Sequence, residues 1–134
     1  MTDQRPPKPT PKIGLTRIVC AFFYSLSGLK QALKHETAFR QEIYLFIIFF
    51  VLLFFLPLPP AIKMILFMCN SLVLITELLN SSIESVVDKA SPEYHELAKH
   101  AKDIASGAVL ISIVSAGLVW LYALSLMIFP IWFS

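Results

Sequence analysis

Three apolar stretches decide what this chain can become. The first runs from Ile43 to Leu56 without a charged residue and stops at Pro57. With the turns around Phe39 it reaches roughly twenty residues, enough to cross a bilayer. The second opens at Pro59-Pro60 and runs from Ala61 to Val87, and the third runs from Ile104 to Phe129 with no charge after Asp103. No long loop separates them. Only 15% of the 134 residues are charged and 57% are hydrophobic, against about 25% charged in ordinary soluble domains. These features predict an all-α membrane protein with transmembrane helices at 37–57, at 60–88 and within 91–129, the last led in by a helix in the second loop. The length allows one membrane domain, 14–134.

Lys and Arg set the expected orientation. Arg5, Lys8, Lys12, Arg17, Lys30, Lys34 and Arg40 precede the first stretch, and Lys89, Lys99 and Lys102 occupy the second loop. The first loop has only Lys63 and the far end has none. Positive residues favour the cytoplasm, so the N-terminus and second loop are expected inside and the C-terminus outside. A net charge of +2, with no basic stripe interleaved with aromatics, gives no sign of nucleic-acid binding. Cys20 and Cys69 lie in apolar context and read as small hydrophobes.

Before the first span, residues 1–13 form a Pro-rich tail expected to be disordered. Thr16 can cap a helix that follows, over 14–35. Its apolar residues Ile18, Phe22, Leu26, Leu29 and Leu33 recur at helical spacing, with Arg17, Lys30 and Lys34 placed for lipid headgroups. The pattern predicts an amphipathic helix lying in the membrane interface.

The second stretch carries acids where acids are expensive. At about 100° per residue, Glu77, Asn80, Ser81, Glu84 and Asp88 fall on one stripe roughly 100° wide, with Glu77 and Glu84 about 10.5 Å apart along the axis. A carboxylate at membrane depth costs at least about 2.5 kcal/mol on insertion scales, so such a stripe must face protein, water or ligand. Helix–helix adhesion alone is met more cheaply by Ser, Thr or Asn, and three carboxylates repel unless a cation sits among them. Glu36 and Glu42 flank the entry to the first span, and "SPEYHELAKHAKD" adds Glu93, His95, Glu96, Lys102 and Asp103. The polar chemistry therefore gathers at one edge of the bilayer. A transport pathway needs polar groups through the full depth, which argues against a channel. Carboxylates beside a lysine suit Mg²⁺ and phosphate better than zinc.

Two motifs fall away. His95 and His100 are five residues apart, about 140° around a helix, and cannot grip one metal as an HExxH pair does. No GxxxxGK or GxGxxG occurs, so the phosphate-cradling loop of soluble kinases is absent.

The block "E-x-x-N-S-x-I-E-x-V-V-D" followed by "S-x-E-Y-H-E-L-A-x-x-A-K-D-x-x-S-x-A-V-L-I" strongly resembles the small prokaryotic diacylglycerol kinases, a family of integral membrane proteins. "Glu36-Thr37-Ala38-Phe39-Arg40-Gln41-Glu42" is similar to the first-span entry of its Gram-negative form, and the likeness runs from about Gly14 into the third span. The resemblance implies a homotrimer in the bacterial inner membrane, with sites shared between subunits at the cytoplasmic face and the C-terminus in the periplasm. It implies phosphoryl transfer from MgATP to diacylglycerol, giving phosphatidic acid. Glu77 is then the general base, Asn80 orients it, and Glu36 and Glu84 hold Mg²⁺. Lys102 and Asp103 contact the phosphates, and Arg17, Tyr24, Glu93 and His95 join Glu36 and Glu84 around ATP. Arg17, Ala38, Phe39, Arg40, Gln41, Glu42, Glu77 and Ser106 line the lipid substrate. His35 and His100 depart from the family pattern, where Asn and Arg are usual. Undecaprenol kinases share the Glu/Asn/Glu/Asp core, but "AFRQE" and "EYHEL" point to diacylglycerol. A non-catalytic membrane scaffold or small-solute channel is the reading from another class.

Overall fold

The computed structural model of the protein describes residues 13–128. The expected Pro-rich tail, apart from Ile13, lies outside the described residues, as do Phe129 and the C-terminus. Everything ordered into elements is helical: α1 (Leu15–His35), α2 (Thr37–Phe55), α3 (Pro60–Ala90) and α4 (Glu96–Ile128). The chain divides within α1, between Gln31 and Ala32, so that most of α1 is one unit and everything from Ala32 is the other.

α1 starts one residue before the expected cap. Gly14 takes a φ of +72°, a left-handed turn open to glycine at no steric cost, and its carbonyl accepts the Arg17 amide at 3.0 Å. Thr16 therefore sits inside the first turn and does not cap it. None of the α1 residues is buried.

In the second unit α3 is the central element, packed against both α2 and α4. The link between α1 and α2 is the single residue Glu36, in extended backbone conformation. α2 ends at Phe55, with Leu56 as its extended cap, because Pro57 cannot continue the hydrogen-bond ladder. Pro60 then opens α3 at its first helical position, where its missing N–H is no loss. Ser91 caps the far end, its amide bonding to the Val87 carbonyl at 2.8 Å. Residues 91–95 are not helical. The second-loop helix begins at Glu96, where His95 takes the cap position: its Nδ1 accepts the Leu97 amide at 3.2 Å. From there one helix runs without a break into the third apolar stretch.

α2, α3 and α4 are each long and apolar enough to cross a membrane. Large side chains such as Ile48, Phe54, Leu121 and Ile128 are exposed along them, which is costly in water and neutral in hydrocarbon. At the Pro60 end the core is Leu53, Leu58, Leu66 and Ala123, with Trp120 and Met127 against it. On α4 the buried residues are Ala105, Ser112, Ala116 and Ala123. Small residues let α3 and α4 approach closely, and two polar bonds tie the pair. Thr76 Oγ1 and Ser112 Oγ lie 2.8 Å apart, and Trp120 Nε1 donates to Asn70 Oδ1 at 3.1 Å.

Candidate active site

The length of α3 places the acids. A hydrocarbon core about 30 Å thick takes about twenty helical residues, so a span starting at Pro60 leaves the core near Asn80. Glu77 sits just inside that limit, while Glu84 and Asp88 lie beyond it.

Burial follows the same order along the stripe. Glu77 is 6% exposed and Asn80 9%; Ser81 is also buried, Glu84 is half-buried and Asp88 is exposed. Asn80 Nδ2 donates to Glu84 Oε1 at 3.3 Å, tying two of the expected site residues together. Glu84 and Glu36 both act electrostatically on Glu77, and Glu77 acts on Glu42. Glu77 is thus within electrostatic reach of Glu36, Glu42 and Glu84, which the helical stripe alone could establish only for Glu84.

Two polar atoms in this cluster are buried with no hydrogen-bond partner among the described residues: Asn80 Oδ1 and Glu42 Oε2. A buried acceptor left unpaired costs roughly 1–3 kcal/mol, so both mark places where a donor or cation is wanted. Among the described residues no three His, Cys, Asp or Glu side chains come together as a group that could hold a metal ion. Mg²⁺ does not require one, since it is usually held by one or two carboxylates plus substrate phosphates. Carboxylates such as those of Glu36 and Glu84 are the donor type such a metal takes.

A second group of expected residues meets in a pocket of about 360 Å³ between the end of α3 and the start of α4. Glu93, His95, Lys102 and Asp103 line it, together with Asp88 and Lys99. Lys102 Nζ donates to Asp88 Oδ1 at 2.9 Å. Glu84 also acts on Lys102, so it stands electrostatically between the acidic cluster and this pocket. Because His95 Nδ1 accepts the Leu97 amide, the proton of the neutral ring is on Nε2, which is left as a donor.

Arg17 and Tyr24 are exposed residues of the first unit. Ala38, Gln41 and Ser106 are exposed on α2 and α4. Phe39, only 1% exposed, is a core residue whose side chain presents no surface to a ligand. Arg40 is spent on backbone: Nη1 donates to the carbonyls of Leu33 at 3.2 Å and Lys34 at 3.1 Å, and Nη2 to Thr37 Oγ1 at 2.9 Å.

Glu42 also closes one end of an apolar groove of about 490 Å³ between α2, α3 and α4, lined by Phe46, Phe49, Leu74, Gly117 and Trp120 among others. The Asn70–Trp120 pair in its wall is absent from the expectations above. A lone Asn inside an apolar stretch was the available signal, since such residues usually bond across helices.

A family model for prokaryotic diacylglycerol kinase matches residues 23–124. The chain belongs to that family. The match covers all of the expected site residues except Arg17. The chain is 46% identical over 108 residues to the diacylglycerol kinase of Haemophilus influenzae, covering 80% of this chain and 91% of that one. It is 44% identical over 107 residues to the Escherichia coli K12 diacylglycerol kinase, covering 80% and 88%. The Pseudomonas aeruginosa enzyme of the same name is 38% identical over 107 residues, covering 80% and 87%. Within this prokaryotic diacylglycerol kinase chain, both gatherings of polar side chains lie inside the matched region.

Proposed function

We propose that this chain is a diacylglycerol kinase that phosphorylates its lipid with ATP at the cytoplasmic face of the bacterial inner membrane. Membership of a family whose relatives carry that name supports the activity. The observation that carries the residue roles is the burial of Glu77 and Asn80, which the length of a span begun at Pro60 puts near the edge of a hydrocarbon core. A lipid hydroxyl sits at that depth; a water-soluble acceptor does not.

In the reaction, the diacylglycerol hydroxyl oxygen bonds to the γ-phosphorus of ATP. The bond from that phosphorus to the β–γ bridging oxygen breaks, releasing ADP, and the hydroxyl proton passes to the Glu77 carboxylate. The lipid product is phosphatidic acid. Asn80, bonded to Glu84, orients the base. Glu36 and Glu84 hold Mg²⁺, which when bound neutralises phosphate charge, the main requirement of phosphoryl transfer. Lys102 supplies a further positive charge to the phosphates, and Asp103, Glu93 and the Nε2 donor of His95 border the nucleotide. Family resemblance assigns Arg17 and Tyr24 to the nucleotide as well, and α1 is an amphipathic helix of the membrane interface. The working unit is a homotrimer with sites shared between subunits, the N-terminus cytoplasmic and the C-terminus periplasmic.

The test is a kinase assay on purified protein in mixed micelles, offering diacylglycerol and undecaprenol separately. Preferential, Mg²⁺-dependent formation of phosphatidic acid supports the reading. Preference for undecaprenol moves the chain to the other activity of its family, and failure to turn over either lipid overturns the proposal.

A further inference from the structure

The link from α1 to α2 is one residue long, and that residue is Glu36. On a single-residue link, the two flanking helix ends set the point and direction from which the side chain departs. The α1 side is held from the Glu36 amide, which bonds to the Ala32 carbonyl at 2.8 Å. The α2 side is held by the Glu36 carbonyl, which accepts the Arg40 amide at 3.3 Å. Glu36 has no side-chain cap bond of its own on α2, so its carboxylate remains available to a ligand.

Arg40 spans the link from the other direction. It sits in the first turn of α2 and reaches back six and seven residues to the Lys34 and Leu33 carbonyls. These belong to the last turn of α1, where helical carbonyls have no intrahelical partner and a cation is favoured by the helix dipole. Its third bond, to Thr37 Oγ1, locks the guanidinium against the residue after Glu36. A planar fork with several fixed donors can make these contacts together; a lysine ammonium cannot reproduce their geometry.

We propose that Arg40 is a positioning residue for Glu36: by hooking the closing carbonyls of α1 and Thr37 it fixes the one-residue link that carries the Glu36 carboxylate. This rests on the reading of Glu36 as a holder of the nucleotide's metal. It differs from the role implied by family resemblance, in which Arg40 contacts the lipid. A guanidinium committed to three acceptors within its own chain acts on the lipid only through what it holds in place.

The two roles separate experimentally. Arg40→Lys, Arg40→Ala and Thr37→Val are compared with Glu36→Gln, each checked for native helix content and thermal stability; Thr37→Val removes one bond of the three and serves where loss of Arg40 prevents folding. Mn²⁺ binding in the presence of a non-hydrolysable ATP analogue is read by electron paramagnetic resonance, alongside the Mg²⁺ dependence and the apparent KM for diacylglycerol. Loss of a residue that orients a metal ligand weakens the metal by on the order of 10–100-fold. The Arg40 variants are expected to show that loss, and Thr37→Val a smaller one, with KM for the lipid unchanged. In the double variant Arg40→Lys/Glu36→Gln, the loss should barely exceed that of Glu36→Gln, because both act through one carboxylate. Normal metal binding in the Arg40 variants, with impaired binding in Glu36→Gln, overturns the inference alone. A raised lipid KM with unchanged metal binding returns Arg40 to the substrate. Normal metal binding in Glu36→Gln itself overturns the metal reading and the inference together.

Discussion

Lys102 Nζ donates to Asp88 Oδ1 at 2.9 Å, joining α4 to the end of α3 across fourteen residues of sequence. The lysine expected to meet phosphate is thus held by an acid from the same pocket. Its side chain is 36% exposed and that of Asp88 66%, and solvent screens an ion pair this wet. The pair therefore sets where the ammonium rests more than it stabilises the fold.

Substituting its two members should have different consequences. Lys102→Met should raise the apparent KM for ATP by about 10–100-fold, because a hydrogen bond to a charged group is worth about 1.5–3 kcal/mol. Asp88→Asn should leave thermal stability within about 1 kcal/mol of the parent. Steady-state kinetics and thermal denaturation on the same preparations check both. An unchanged ATP KM in Lys102→Met would remove Lys102 from the nucleotide site.

Glu77→Gln separates catalysis from structure. The amide keeps the volume and hydrogen-bonding capacity of the acid but cannot take the hydroxyl proton. The expected fall in kcat is about 10²–10⁴, with little change in KM for MgATP. Stability should hold or rise, since a carboxylate at membrane depth is costly. A stable protein with nearly parental turnover would end the general-base role.

Glu36→Gln and Glu84→Gln each remove an anionic oxygen while keeping the side chain's shape. Both should shift Mg²⁺ activation to higher concentration, and Glu84→Gln should also disturb Asn80, whose Nδ2 bonds to Glu84. A Mg²⁺ titration at fixed ATP is the measurement. Superimposable curves for parent and both variants would reject the assignment.

Asn70 and Trp120 bond across fifty residues of sequence inside the wall of the apolar groove. Asn70→Ala leaves the Trp120 N–H without its acceptor and should cost about 1–3 kcal/mol. The double variant Asn70→Ala/Trp120→Phe should cost less than the sum of the two single changes, since the pair couples. Denaturant unfolding in micelles reads the cycle, and strict additivity would show that the bond contributes nothing.

Orientation is tested by single cysteines in place of Arg5 and Ser134, in a background with Cys20 and Cys69 replaced by serine. The concentration of Lys and Arg before the first span predicts labelling from opposite sides of the membrane. Labelling of both from the same side refutes it.

What the sequence determined by itself was whatever a local pattern dictates. Long charge-free runs force helices with apolar surfaces, because a backbone in hydrocarbon can satisfy its own hydrogen bonds in no other single-segment form. Prolines 57 and 60 bound two of those helices by covalent geometry. The stripe from Glu77 to Asp88 was legible because helical periodicity fixes which side chains share a face. What lay beyond local pattern was decided by tertiary structure. That Glu36 and Glu42 come within electrostatic reach of Glu77 depends on how α2 packs on α3. That Lys102 meets Asp88, and Asn70 meets Trp120, depends on how α4 folds back after the non-helical residues 91–95. Arg40 read as one more basic residue near a headgroup, and only the bend at Glu36 brings the carbonyls of Leu33 and Lys34 within its reach. The physical reason is the same in each case: a side chain's partner is set by the path of the backbone between them, and that path follows from the packing of whole helices.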